Sequence, residues 1–428
     1  AFKAIWSDVR QSFVTTSEIQ SSHGKRSKAS VSLSVATVLL ATSGLVSAAY
    51  VETGTLGDKA SWETAEYNYN WGLGAMNASS AYALGFYGQN TTTGVMDSGA
   101  WLGNPDLDTP RITATHVTGV YGSSGNRYPQ SIYATIQKGV VPTAAEGQPF
   151  TEGEEFDVKG DYTLGLNDAH GTQVTGVIGA ERNGEYGHGV AFKANVVVGN
   201  TGATDNNNYG PFQDYNYYFK GYKALADAVN AGNGEYRGGM VNNSYGTNTK
   251  IYSSGGHRLT PDEMSELLAG SGNYDRASAA YAVTFSGDYS FLGLNDVPGA
   301  DQYSTNPSAF EWEYMYFKLK YGDKPSFLDG AYDAVKGTNV ILSWAAGNQD
   351  RGTPYLKGLY PYFHPEAEKN WLNAVGVMQT RGDNDQYMQA TYCKAGLAKW
   401  WSMSGPTAYP GIGTTYVTTD LENGRLTT

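Results

Sequence analysis

Short aliphatic runs that end in small or polar residues recur along this chain, with helix-like stretches between them. The runs are TGVMD at 93–97, VVVGN at 196–200, MVNNSYG at 240–246, VILSWAAGN at 340–348 and AVGVM at 374–378. The stretches 170–180, 218–231 and 327–336 read as helices, and 63–88 reads as a helix and a turn ahead of the first run. An unbroken aliphatic run suits a strand buried on both faces. Such strands alternating with helices form a parallel sheet covered on both sides, so the fold class is α/β. In folds of this class functional side chains gather at the carboxyl ends of the strands. No internal repeat is evident, which counts against a β-helix. Residues 101–168 and 247–326 break the alternation and are rich in Gly, Asn, Ser, Tyr and Asp. They read as long surface insertions that shape a cleft.

The first fifty residues have a different character. Residues 31–48 are apolar and uncharged, Lys25, Arg26 and Lys28 stand just before them, and Val46-Ser47-Ala48 supplies small residues for cleavage. That is the anatomy of a signal peptide, too short and too polar at its end for a membrane anchor. The division is therefore 1–48, removed on export, and 49–428, a single catalytic domain by the motifs below. The segment ahead of the apolar run holds Phe2, Ile5, Trp6, Phe13, Val14 and Glu18. It is longer and more patterned than an ordinary basic n-region.

The net charge is −12, and the basic leader makes the remainder more acidic still. A general nucleic-acid binder needs the opposite sign on its surface. The one cysteine, Cys393, excludes an internal disulfide. The six histidines lack zinc-ligand spacing, and no phosphate loop follows the first strand. Asp205-Asn206-Asn207-Asn208 offers oxygen ligands to Ca2+, though a solvated polar loop is the plainer reading.

Four motifs carry chemistry. Asp97, followed by Ser98-Gly99 and then Asn104-Pro105-Asp106-Leu107, is a carboxylate delivered at a strand end. Alone it is an ordinary helix-capping Asp. His170 opens a helix of small residues, with Gly171, Gly176 and Gly179 allowing close packing, where an imidazole can serve as general base. Ser244-Tyr245-Gly246 ends a third run, and Asn348 ends a fourth after Ala345-Ala346-Gly347. An amide at such a strand end can donate to a developing oxyanion, and a turn Asn after Gly is the plain alternative.

In this order the four motifs resemble the subtilisin family of serine proteases, from about residue 70 to the end of the chain. The resemblance implies a subtilisin-like parallel sheet with helices on both faces. It implies that Asp97 orients His170, that His170 moves the proton of the nucleophilic serine, and that Asn348 is the oxyanion donor. It also implies that Ser244, Tyr245 and Gly246 form an edge strand that pairs with substrate and frames the pocket for the residue before the cut. The leader, with its I-W…F-V-x-x-S-E pattern, resembles the extended signal peptide of autotransporters. That resemblance implies passage through the Sec machinery and an outer-membrane translocator to the surface of a Gram-negative bacterium, with polypeptides as substrates. Two departures stand out. Asn104 replaces the family's histidine in the motif after the acid, and no Gly-Thr-Ser-x-Ala-x-Pro segment occurs. Ser404, in Trp401-Ser402-Met403-Ser404-Gly405-Pro406, resembles the loop upstream of the nucleophile and is rejected as the serine. Both ends of the chain read as truncations, with the serine expected beyond Thr428 and the fragment inactive. The alternative is a catalytically dead adhesin or binding module of the same shape.

Overall fold

The computed structural model describes residues 2–7, 12–17, 54–126, 149–161, 170–201, 214–236, 238–245, 249–251, 283–285, 324–347, 354–379, 387–389, 392–408, 418–420 and 425–427. Asn348, Gly246, the Asp205–Asn208 loop, the apolar run at 31–48 and most of 247–326 lie outside the described residues. The chain divides into two compact units, Ala1–Glu52 and Thr53–Thr428. In the first, Phe2–Ser7 pairs antiparallel with Ser12–Ser17, with Trp6 opposite Phe13.

The second unit is built on an eight-stranded sheet. Its strands are β1 (Thr92–Asp97), β2 (Ile112–Ala114), β3 (Asn195–Asn200), β4 (Gly238–Asn243), β5 (Asn339–Ala345), β6 (Trp371–Gln379), β7 (Tyr387–Gln389) and β8 (Ser402–Ala408). The order is β7-β6-β5-β4-β1-β3-β2, with β8 also on β6. Every pairing is parallel except β6 with β7.

Among the described residues, seven α-helices accompany the sheet. Three are short, α1 (Ala65–Tyr69), α2 (Trp71–Ala75) and α3 (Ala78–Ala83). The others are α4 (His170–Gly179), α5 (Tyr215–Gly232), α6 (Phe327–Val335) and α7 (Leu356–Phe363). The pleat sorts the residues of each strand between two faces. In β1, Val95 packs with Val196, Val198 and the α4 residues Val174 and Ile178, while Met96 packs with Tyr218, Tyr222 and Leu225 of α5. In β5, Val340, Leu342 and Trp344 all enter the larger core. The sheet thus separates a small core under α4 from a large, aromatic-rich one under α5 and α6. A third cluster, Trp62, Tyr67, Leu73, Ala78, Tyr82 and Phe192, holds α1–α3 against the segment after α4.

Two features differ from the sequence reading. The expected helix and turn at 63–88 is three short helices, broken where Asn70 caps α2 through Gly72 N–H and where Asn77 turns left-handed at φ 54°. The stretch 101–168 is not all surface insertion. Leu107 and Ile112 are buried in the small core, and β2 extends the sheet beyond β3. The strand β4 is interior, hydrogen-bonded to β1 on one side and β5 on the other, and Ser244 follows its end. Val241 meets both Gly94 and Leu342.

Candidate active site

Parallel pairing sends the carboxyl ends of β1, β4 and β5 to one edge of the sheet, which is where three of the four motifs end. Asp97 is the last residue of β1 and is fully buried. Its Oδ1 accepts the Ser98 backbone N–H at 2.8 Å and faces His170 Nδ1 at 2.8 Å. Its Oδ2 is buried with no hydrogen-bond partner among the described residues. An oxygen that already accepts one N–H acts as acceptor toward the imidazole as well, so the ring proton sits on Nδ1 and Nε2 carries the lone pair. The His170 side chain is 32% exposed. An imidazole held through Nδ1 by a buried carboxylate, with Nε2 as its acceptor nitrogen, is the geometry of a general base.

The corner that brings these two residues together depends on small side chains. After Asp97 the chain turns at Gly99, with φ 83°. The Ser98 Oγ accepts the Gly171 N–H at 2.9 Å, and Thr172 Oγ1 accepts the Trp101 N–H at 2.9 Å. These two hydroxyls pin the start of α4 to the Asp97 corner. Neither was singled out from the sequence, where both stood beside the acid and the histidine without a distinguishing signal. A Cβ on Gly171 would run into the Gly99 carbonyl oxygen, so the histidine can approach the acid only with glycine after it.

Ser244 and Tyr245 follow the end of β4. The Tyr245 ring does not line an open cleft. It is 4% exposed, lies edge-on to Trp344 at 5.6 Å, and sits under the Lys357 ammonium at 4.6 Å. A large aromatic ring gains most when drawn into the apolar space beneath the strand ends. Ser244 is half-buried, and its Oγ accepts from Asn242 Nδ2 at 2.8 Å.

On β5, Ala346 N–H donates to Ala374 at 2.9 Å, and the Gly347 carbonyl accepts the N–H of buried Cys393 at 3.0 Å. Gly347 has φ 123°, and a Cβ there would meet the Tyr355 ring. The backbone entering Asn348 is therefore fixed in a form that suits glycine alone. Ser404 lies within β8, paired with Val375, and is exposed. Among the described residues no group of three or more acidic, histidine or cysteine side chains could hold a metal ion.

A hydroxyl network lies behind this edge. Asn243 Nδ2 donates to the Val241 carbonyl at 2.9 Å and to the Ser343 carbonyl at 3.1 Å, while its Oδ1 accepts Tyr222 OH at 2.6 Å. Tyr222 OH is in turn 2.7 Å from Tyr245 OH. Burial raises both phenols well above their ordinary pKa, and the nearby Asp97 charge pushes the same way, so both stay neutral.

Residues 1–47 match the extended signal peptide of the type V secretion system, which exports the chain to the surface or the extracellular space of a Gram-negative bacterium. An extracellular serine protease of Serratia marcescens is 31% identical over 163 residues, covering 38% of this chain and 12% of the relative. Serotype-specific antigen 1 of Mannheimia haemolytica is 34% identical over 72 residues, covering 17% and 7%. The match thus spans about an eighth of the Serratia protease. Among solved structures, the complex of the Aeromonas sobria serine protease with a chaperone has a TM-score of 0.39 at 14% identity, covering 86% of this chain and 48% of that one. The match to the subtilase family, Peptidase S8, extends over residues 88–426, and the chain belongs to that family.

Proposed function

We propose that the protein is a secreted serine endopeptidase in which Asp97 and His170 are the acid and base of an Asp-His-Ser triad. Asp97 orients His170 and stabilises its imidazolium. His170 takes the serine proton through Nε2 and returns it to the leaving amine. Asn348 donates to the oxyanion, and the backbone of Ser244-Tyr245-Gly246 pairs with the substrate. The observation that carries the reading is the 2.8 Å contact between a fully buried Asp97 and a partly exposed His170 at the carboxyl edge of the sheet. Polypeptides are the substrates, and the Sec machinery and an outer-membrane translocator are the partners during export. The scheme requires no cofactor, and Ca2+ on the Asp205–Asn208 loop would add stability without entering the chemistry.

The 428 residues contain no Gly-Thr-Ser-x-Ala-x-Pro segment. Ser404 lies in a strand and lacks the strand-to-helix turn that exposes a nucleophile. The serine therefore belongs to sequence beyond these residues, and the 428-residue chain does not hydrolyse peptides. Labelling with a fluorophosphonate probe tests both statements. The full-length secreted protein takes the label, and His170→Ala abolishes it. Asp97→Asn lowers peptide hydrolysis by about 10⁴, as expected when the imidazole is left in the wrong tautomer. The 428-residue chain stays unlabelled. Label on that chain that disappears in Ser404→Ala would overturn the rejection of Ser404. A full-length protein that is never labelled would make this a binding module of the same shape.

A further inference from the structure

The network behind the site has a fixed proton order. Asn243 uses both amide hydrogens on backbone carbonyls, Val241 in its own strand and Ser343 in β5. Its Oδ1 is therefore the acceptor, and Tyr222 must donate to it. A phenol has one hydrogen, so the contact between the two tyrosines can be made only by Tyr245 donating to Tyr222. The order runs from Tyr245 through Tyr222 to Asn243, and from there to β5. Each link is short and buried, and Tyr222 is anchored from α5, an element outside the site.

The two sides of this relay are the useful parts. On one side is Tyr245, the middle residue of the segment that would pair with substrate, which is also hydrogen-bonded to Tyr218. On the other is the Ser343 carbonyl, on the strand that leads through Gly347 to Asn348. Lys357 over the Tyr245 ring, and Trp344 against its edge, hold the same side chain from below. With the ring clamped, the backbone at 244–245 has one position relative to β5.

Resting on the peptidase reading above, we infer that Tyr222 and Asn243 are positioning residues that set the substrate-pairing segment at the end of β4 in register with the oxyanion strand β5. They touch neither the substrate nor the reacting atoms. Their contribution is to the recognition of extended polypeptide, because only a substrate long enough to lie along 244–246 depends on that backbone.

The test compares two substrates in the full-length secreted protein. One is a peptide with four or more residues on the acyl side of the cut, and the other is a single-residue ester that reaches only the triad and oxyanion donor. The readout is the ratio of their kcat/KM values. In Tyr222→Phe, Asn243 Oδ1 and the Tyr245 hydroxyl each lose their contact with Tyr222, and the ratio is expected to fall tenfold or more. Tyr245→Phe keeps the ring and its packing and removes one link, so it shifts the ratio in the same direction by less, and it serves if Tyr222→Phe folds poorly. A merely structural role would lower the active fraction and reduce both substrates alike. An unchanged ratio in both variants, with a wild type that prefers the long peptide, overturns the inference and leaves the peptidase reading intact. A wild type with no preference for the long peptide removes the pairing role of 244–246, and the inference with it.

Discussion

A methyl group at position 171 would meet the carbonyl of Gly99 and the hydroxyl of Ser98, in the corner that places His170 against Asp97. Backbone cannot yield there without moving the start of α4. Gly171→Ala is therefore expected to cost about 1–3 kcal/mol, the range for overpacking a filled site, and to lower activity by more than the loss of folded protein explains. Thermal unfolding beside hydrolysis of the full-length protein separates the two.

Glu66 and His188 are a second residue-scale case, on either side of the contact that holds α1–α3. Burial raises Glu66 to about 7, against the N–H groups of Asn183 and Gly184 that lower it, with Asp106 and Glu181 adding repulsion. Burial likewise lowers His188 to about 4, with the Arg182 charge adding to it and the hydrogen bond to the Gly189 carbonyl opposing it. The signs are opposite. The folded state holds the Glu66 proton more tightly than the unfolded state does. That contribution is full below 4.5 and is lost as pH rises toward 7. Folded His188 resists protonation, so its penalty is absent above 6.5 and grows as pH falls toward 4. The two slopes offset each other in one window. Glu66→Gln should leave a protein whose stability falls more steeply on acidification than the wild type's, and His188→Phe one that falls more steeply toward neutrality. Thermal midpoints between pH 4 and 7 would show both.

At the scale of elements, α6 and α7 are joined by one carboxylate. Asp329 closes a capping box with Ser326 and also accepts Tyr360 OH at 2.5 Å, tying the start of α6 to α7. Ser326→Ala should cost about 1 kcal/mol, as for other lost caps. Asp329→Ala should cost more, because it strands the Tyr360 hydroxyl as well. Chemical denaturation of the two variants would rank them. The elements most readable in the sequence were those with an unambiguous period. The runs at 93–97, 196–200 and 374–378, and residues 340–345 of a fourth, lie in strands because aliphatic residues buried in a sheet have few other uses. The three-residue β2 left too short a pattern to recognise, and α7 was hidden by Gly358 and Pro361 within it. Asp97 and His170 were legible because each stood at the end or start of such an element. The inward turn of Tyr245 was not, since a single aromatic after a strand has no periodicity to show which way it faces. Tyr222 gave no signal, because its role depends on a partner across the sheet.

For the whole molecule, the topology that gathers the site also controls when it can exist. His170 meets Asp97 from 73 residues away, Thr93 reaches the Met240 carbonyl 147 residues on, and Asn243 reaches Ser343 across 100. Non-local pairing of this kind makes folding slow, since loop closure comes before any compensating contact. The leader commits this chain to crossing two membranes, and a threaded polypeptide cannot be folded while it moves. A catalytic edge assembled from such distant strands stays in pieces for as long as the chain is in transit. Late assembly is thus a form of self-restraint, in which Asp97 and His170 are kept apart inside the producing cell by the order of strands in a sheet.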